Sequence, residues 1–235
     1  AFDVRNKKML WYFQETCHDI WNFDIAAPPI LTTINKYGTR IDVLVALTKL
    51  GNIIILDRFS GESIYDYEMK LAPASKFPGE KTCKYQPSFK LPEPVSKNVF
   101  KKDDVTNRSK ADKDYVMSIV EKSNYGFFPA HELNKNTIVY NLPGGVQWMG
   151  GSVDSYKNIL YVTTNEIPAI LKVLASHDIN KNFEYNVSVG KRSRLEDLNG
   201  YPGSKPPWGT VTALNLNTGK IIWRVPFGYY EELKL

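Results

Sequence analysis

Between Gln14 and Asp24 the chain reads Gln-Glu-Thr-Cys-His-Asp-Ile-Trp-Asn-Phe-Asp. His18, Asp19, Asn22 and Asp24 crowd polar groups around one indole, Trp21. Carboxylates and imidazoles can take a proton from a substrate, whereas an amide has no useful basicity. The plainer reading is a polar turn capped by Asp19 and Asp24, with Trp21 filling the space between sheets. A second candidate, Lys49, directly follows an apolar strand. Lysine at a strand end is usually just solvated, but at the mouth of a sheet assembly it can reach an anionic ligand.

Groups of this kind need a rigid carrier, and loops borne by a sheet are where chemistry tends to sit. The carrier is legible as a repeat. Ala213-Leu-Asn-Leu-Asn-Thr-Gly-Lys-Ile-Ile-Trp223 reads as a strand end, a tight turn and the start of the next strand. Gly219 supplies the positive φ that such a turn needs. Ile55–Tyr65 fits the same eleven-residue register, with Asp57 at the third place, Gly61 at the seventh and Tyr65 at the eleventh. Ala1–Trp11 fits again, with Asp3 third and Lys7 where the glycine stands. The aromatic ends lie 54 residues apart and then 158, close to three times the first step. Self-similarity at this period predicts propeller blades, which repeat every ~40–50 residues. It also predicts equivalent positions for Trp11, Tyr65 and Trp223.

The chain then divides as follows. Residues 1–13 are the end of one blade and 14–67 the next, with 14–28 a loop dense in polar and aromatic groups. Within that blade, strands are expected at Pro29–Ile34, Ile41–Thr48 and Asn52–Leu56. Turns are expected at Asn35–Gly38 and Lys49–Gly51, and Ser63–Tyr67 closes the blade. Residues 68–145 break the period as an insertion without a core of its own. Pro73, Pro78, Pro87, Pro92 and Pro94 argue for extended loop in its first part. Ser109, with an acid three residues on, and Ala111, Tyr115 and Ile119 at helical spacing predict a helix near 110–122. Phe127–Pro129 and Asn136–Tyr140 read as extended. Residues 146–225 form a further blade, with strands at Ser152–Asp154, Ile159–Thr164, Thr210–Leu216 and Lys220–Val225. In it the turn is Ser155–Asn158, Ile170–Ala175 is a weaker strand, and 176–207 is polar. Residues 226–235 head into another blade.

The bulk numbers agree with an all-β, loop-rich chain. Of 235 residues, 43% are hydrophobic, enough for a sizeable core, and 30 are aromatic. No apolar run reaches the ~18 residues of a membrane span. The net charge of +5 is spread over scattered lysines and arginines, with short clusters such as 191–194. No basic helix or aromatic-basic ladder argues for nucleic acid. Cys17 and Cys83 have no metal-ligand spacing; they are one disulfide or two buried thiols.

The eleven-residue register resembles the tryptophan-docking motif of quinoprotein dehydrogenase propellers, where the aromatic of one blade is wedged against the alanine and glycine of its neighbour. The stretch 14–24, taken with Ala46-Leu-Thr-Lys-Leu-Gly-Asn52, resembles the membrane-bound glucose dehydrogenase group of pyrroloquinoline quinone (PQQ) enzymes. In that group a docking aromatic is followed by His-Asp-(Leu or Ile)-Trp-Asp, and a later strand ends in Lys-x-Gly-Asn. The 27-residue step from Asn22 to Lys49 matches too. Trp148-Met-Gly-Gly151 is similar to the family's Trp-Gly-Gly, with Met149 extra, and Pro207-Trp-Gly209 to its Pro-Trp-Gly.

The resemblance implies part of an eight-bladed propeller with PQQ and a calcium or magnesium ion on its axis. It implies an extracytoplasmic, periplasmic oxidoreductase that acts on a sugar or other alcohol and passes electrons to a quinone or cytochrome. Lys49 would contact the cofactor's oxygens, and His18 and Asp19 would line the same mouth. The metal ligands are expected in blades outside this chain. One departure stands out: the family's proton-accepting Asp falls at Asn22, so Asp19 and Asp24 compete for that role. The alternative is a non-catalytic propeller that binds a ligand or protein.

Overall fold

The computed structural model describes residues 1–77, 79–140, 144–175, 185–187 and 193–233. In chain order its elements are β1 (Phe2–Asp3), β2 (Lys8–Met9), β3 (Ile30–Lys36), β4 (Thr39–Leu47), β5 (Ile53–Asp57), β6 (Tyr67–Leu71) and β7 (Tyr85–Phe89). They continue with α1 (Lys110–Val120), β8 (Asn136–Val139), β9 (Gly151–Asp154), β10 (Ile159–Asn165) and β11 (Ala169–Ala175). The last strands are β12 (Tyr185–Val187), β13 (Ser193–Arg194), β14 (Gly209–Asn215) and β15 (Lys220–Pro226). The chain is mostly β, and among the described residues no sheet closes on itself.

Two antiparallel sheets face one another, one of order β3-β4-β5 and one of order β15-β14-β10-β9. Alternation along β4 explains how. Val43, Val45 and Leu47 meet Leu160, Val162 and Leu214 of the second sheet, and Leu216 just beyond β14, in one buried cluster. Ala46, with Ile54 and Leu56 of β5, packs the other way, onto Phe89, Trp11 and Phe13. Both faces of this sheet are covered, which is why Ile53–Leu56 is an unbroken apolar run.

The repeat turns are built alike. In each, the third-place side-chain oxygen accepts two backbone N–H groups, an arrangement written entirely within the turn. Asp57 Oδ1 takes those of Phe59 and Ser60, both at 2.8 Å. Asp3 takes Arg5 and Asn6, and Asn215 takes Asn217 and Thr218. The seventh residue is left-handed each time: Lys7 (φ 54), Gly61 (φ 77) and Gly219 (φ 70). A further turn of this construction lies at 154–158. There Asp154 Oδ1 accepts from Tyr156 and Lys157, and Asn158 has φ 54.

The aromatic ends are not in equal surroundings. Trp11 lies on Gly61, where a Cβ would fall 2.4 Å from its ring, and Tyr65 lies on Gly219, where the distance would be 3.1 Å. The Tyr65 hydroxyl also donates to the Leu216 carbonyl at 2.9 Å. Trp223 instead sits on β15, the end strand of its sheet, 42% exposed beside Tyr161.

Several expected boundaries shift. The strand expected to stop at Ile34 runs to Lys36, because Tyr37 (φ 52) and Gly38 (φ 77) form a two-residue hairpin turn by themselves. The proline-bearing stretch after residue 67 is not loop throughout: β6 and β7 pair from Tyr67↔Phe89 to Leu71↔Tyr85. Pro87 is accommodated because this sheet has only two strands and therefore two free edges. Tyr67 is the first residue of that hairpin. Phe127–Pro129 is not a strand, and Phe128 has φ 45. Ala169–Ala175 leaves the second sheet and pairs with β8, joining the two non-repeat regions. The helix forms as expected, with Ser109 Oγ accepting the Asp112 N–H at 3.0 Å. Its Val116 and Val120 pack with Phe100, Ile138, Tyr140 and Leu195, a cluster drawn from both regions. Within the polar stretch 176–207, residues 176–184 and 188–192 lie outside the described ones.

The end strand β15 exposes Ile222 (50%), Trp223 and Val225, while Phe2, Met9, Leu10 and Tyr12 are exposed around β1 and β2. An open edge with an apolar face is a template for further pairing. The 235-residue chain on its own is therefore expected to self-associate in sedimentation velocity. A monodisperse, cooperatively melting monomer would count against this.

Candidate functional site

The site begins where β4 runs out. Thr48–Asn52 turns back into β5, with the Gly51 N–H on the Thr48 carbonyl (2.9 Å) and the Asn52 N–H on Thr48 Oγ1 (3.1 Å). The turn is clamped on two sides. A Cβ on Gly51 (φ +70) would strike Ser96 Oγ at 2.1 Å, and one on Gly145 would strike the Lys49 carbonyl oxygen at 1.9 Å. Backbone bonds from Val95 to Gly51 and from Val146 to Thr48 hold these neighbours in place. Lys49 is thus 5% exposed at a rigid corner.

The 14–24 stretch is held against that corner from three directions. Cys17 is disulfide-bonded to Cys83, which decides between the two alternatives open in the sequence. Gln86 pairs with both backbone groups of Cys17, at 2.9 and 2.7 Å. The Trp21 indole is buried, donates to the Pro129 carbonyl at 2.7 Å, and meets Phe128 edge-on. His131 is buried beneath it, its Nε2 on the Ile20 carbonyl (3.1 Å) and its Nδ1 on Thr137 Oγ1 (3.0 Å). Burial holds the His131 imidazole below its ordinary pKa, against the opposing bond to Ile20.

The candidate residues part company here. Asp19 spends its carboxylate on the chain itself, accepting the N–H groups of Trp21 and Phe23, both at 2.8 Å. Asn22 is exposed with a left-handed backbone, φ 63. His18 pairs with Glu80 at 2.5 Å, half-exposed beside the disulfide. Asp24 is the one that meets Lys49: Nζ donates to Oδ1 at 2.5 Å, with the lysine side chain buried and the carboxylate 45% exposed.

Two further residues carry no local signal of their role. Glu15 is 4% exposed and accepts from Asn52 Nδ2 at 2.8 Å. Burial pushes its carboxyl up from 4.5 to about 7; bonds from Asn52 and Thr48 oppose the rise, and the Asp19 charge adds to it. Only its place beside the loop's apolar and aromatic residues hints at burial. Asn165 occupies in β10 the register place that Lys49 follows in β4: each stands six residues beyond the partner of the third-place Asp57 or Asn215. Gly145 exchanges both backbone bonds with Asn165 while lying against Lys49, so the two are neighbours across the sheets. Laying one repeat over the other brings this asparagine into line with the lysine.

A buried ammonium at a turn where a glycine lets backbone approach closely can hold an oxygen-rich anion. Among the described residues no three His, Cys, Asp or Glu side chains come together as a metal site.

The sequence description of the PQQ-type glucose/ethanol/alcohol dehydrogenase β-propeller domain matches residues 1–235. The chain is 26% identical to the quinoprotein glucose dehydrogenase of Escherichia coli (strain K12), covering 99% of this chain and 31% of that protein. It is 24% identical to the quinate/shikimate dehydrogenase (quinone) of Acinetobacter baylyi, with the same coverage. The chain thus spans about a third of the length of these curated relatives. Among solved structures it is similar to the quinohemoprotein alcohol dehydrogenase of Comamonas testosteroni, at TM-score 0.52 and 20% identity, over 96% of this chain and 28% of that one.

Proposed function

The chain belongs to the PQQ-dependent glucose/ethanol/alcohol dehydrogenase β-propeller family, and from that we propose that it forms part of an eight-bladed propeller that oxidises a sugar or other alcohol. The observation that carries the reading is the Lys49–Asp24 pair at the clamped end of β4. When bound, PQQ supplies the quinone that takes the substrate's hydride. Lys49 and Asn165 would hold the cofactor's oxygens. The Asp24 carboxylate, exposed on one side and oriented by Lys49 on the other, accepts the substrate's hydroxyl proton on an oxygen. Asp19 positions that carboxylate by fixing the turn before it, and His131 and Trp21 tie the turn to the insertion. A calcium or magnesium ion would take its ligands elsewhere in the whole protein, since the described residues offer no such group. The Cys17–Cys83 disulfide supports an oxidising, extracytoplasmic setting.

The test is reconstitution of the whole protein with PQQ, followed by dye reduction with sugars and alcohols. Saturable PQQ binding with substrate-dependent dye reduction is expected. Binding without turnover on any sugar or alcohol would favour the alternative, a non-catalytic binding module.

A further inference from the structure

The turn that carries Lys49 is framed by Thr48 and Asn52, and one side chain outside the proposed proton transfer reaches both. Glu15 accepts from Asn52 Nδ2 at 2.8 Å and meets the Thr48 side chain. Thr48 Oγ1 in turn accepts the Asn52 N–H at 3.1 Å. All three residues are buried. The Glu15 carboxyl therefore ties together the two ends of the turn.

The donors around that carboxyl do not suffice for an anion. Glu15 Oε2 and Asn52 Oδ1 are both buried without a partner. Carboxylate and amide oxygens only accept, so an ionised Glu15 leaves two acceptors and no donor for them. A proton on Oε2 makes it a donor, and a carboxylic acid and a primary amide can pair through two parallel bonds. An orphaned buried acceptor is costly, so the proton favours the closed arrangement. Charge acts in the same direction. Asp19, on the same loop, adds a negative field, and burial together with that field holds the Glu15 carboxyl at about 7. The neighbouring charges give no relief: Lys49 on the turn is paired with Asp24, and His18 on the loop with Glu80. Gln86, the β7 side chain that holds Cys17, is neutral.

Resting on the PQQ reading above, we propose that Glu15 is a positioning residue for Lys49: its protonated carboxyl pairs with both ends of the Asn52 amide, fixes the 48–52 turn and so sets the hold of that corner on an anionic cofactor. Ionisation removes the Oε2 donor and puts a buried negative charge beside the turn, so the hold weakens as pH rises. By reciprocity, cofactor binding draws a proton onto Glu15.

The experiment is calorimetric titration of the whole protein with PQQ at about pH 6 and about pH 8, each in two buffers of different ionisation enthalpy, which counts the protons taken up. At about pH 8 only about a tenth of the unliganded wild type is in the competent form, so PQQ is expected to bind ~tenfold more weakly than at about pH 6. Binding is expected to take up ~one proton at the higher pH and almost none at the lower. Glu15→Gln supplies the same two bonds, its amide donating to Asn52 Oδ1, and carries no charge. It is expected to bind PQQ at about pH 8 ~tenfold more tightly than the wild type, and to lack the extra proton. The difference between the two proteins cancels titration of PQQ itself and of His18 and His131, and neither readout needs turnover. The wild-type proton count needs no variant, so it holds even if Glu15→Gln folds poorly. PQQ binding by the wild type without proton uptake at about pH 8, or uptake that persists undiminished in Glu15→Gln, would overturn the inference and leave the proposed function standing. Absence of PQQ binding by both proteins at both pH values would overturn the proposed function, and the role of Glu15 with it.

Discussion

Asp24→Asn is expected to lower kcat by ~10²–10⁴-fold in the PQQ-loaded whole protein, the usual contribution of a general base. The substitution keeps the size of the side chain but removes its basicity. It also leaves Lys49 at its buried corner without its anionic partner, so PQQ affinity has to be measured beside kcat to separate positioning from proton transfer. The rival assignments give different patterns. Asn22→Asp restores the carboxylate that the family motif carries, but at an exposed, left-handed residue whose side chain no contact directs at Lys49, and it is expected to change kcat little. Asp19→Asn leaves only one side-chain oxygen for the two N–H groups that the carboxylate now accepts, so its loss is expected in stability rather than in the chemical step. A large gain in kcat from Asn22→Asp, with activity retained in Asp24→Asn, would show that Asn22 and not Asp24 stands at the base position.

Glu15→Gln is expected to raise stability at about pH 8 by about 3 kcal/mol and to leave it nearly unchanged at about pH 4. The sign follows from the direction of the shift. The folded protein holds the Glu15 carboxyl at about 7 against an ordinary value of 4.5, so folding favours the protonated form. The stability that this contributes is fully present below about 4.5 and is lost as pH rises through about 7, where the buried group must ionise or the fold must open. Glutamine cannot ionise and can still accept from Asn52. Urea midpoints at a series of pH values check this. The wild type should lose stability across that window and the variant should not, and parallel curves would remove Glu15 as the cause. Burial lowers the His131 pKa, and a buried neutral imidazole favours folding as pH rises, opposite in sign to Glu15. His131 is present in both proteins, so the difference between the two curves isolates Glu15.

Much of this molecule is written locally. An aspartate or asparagine accepting N–H groups two and three residues on, followed by a left-handed residue, makes each repeat turn within five positions, so the repeat is legible in the residue types and their spacing. The helix start at Ser109 is local in the same way. The loop composition and the Lys-x-Gly-Asn strand end mark two stretches that the fold brings together at Asp24 and Lys49. What the sequence could not decide was which of its carboxylates meets Lys49. Asp19 and Asp24 are nearly equivalent as text, and they are separated only because Asp19 bonds its own loop while Trp21 and His131 lock that loop to residues 129 and 137. The β6–β7 pairing across thirteen intervening residues, the meeting of Cys17 with Cys83, the burial of Glu15 against Asn52 and the neighbouring of Asn165 with Lys49 are of the same kind. Each joins groups far apart in the chain whose approach is dictated by how two sheets and an insertion pack, and short-range hydrogen-bonding rules carry no information about that packing.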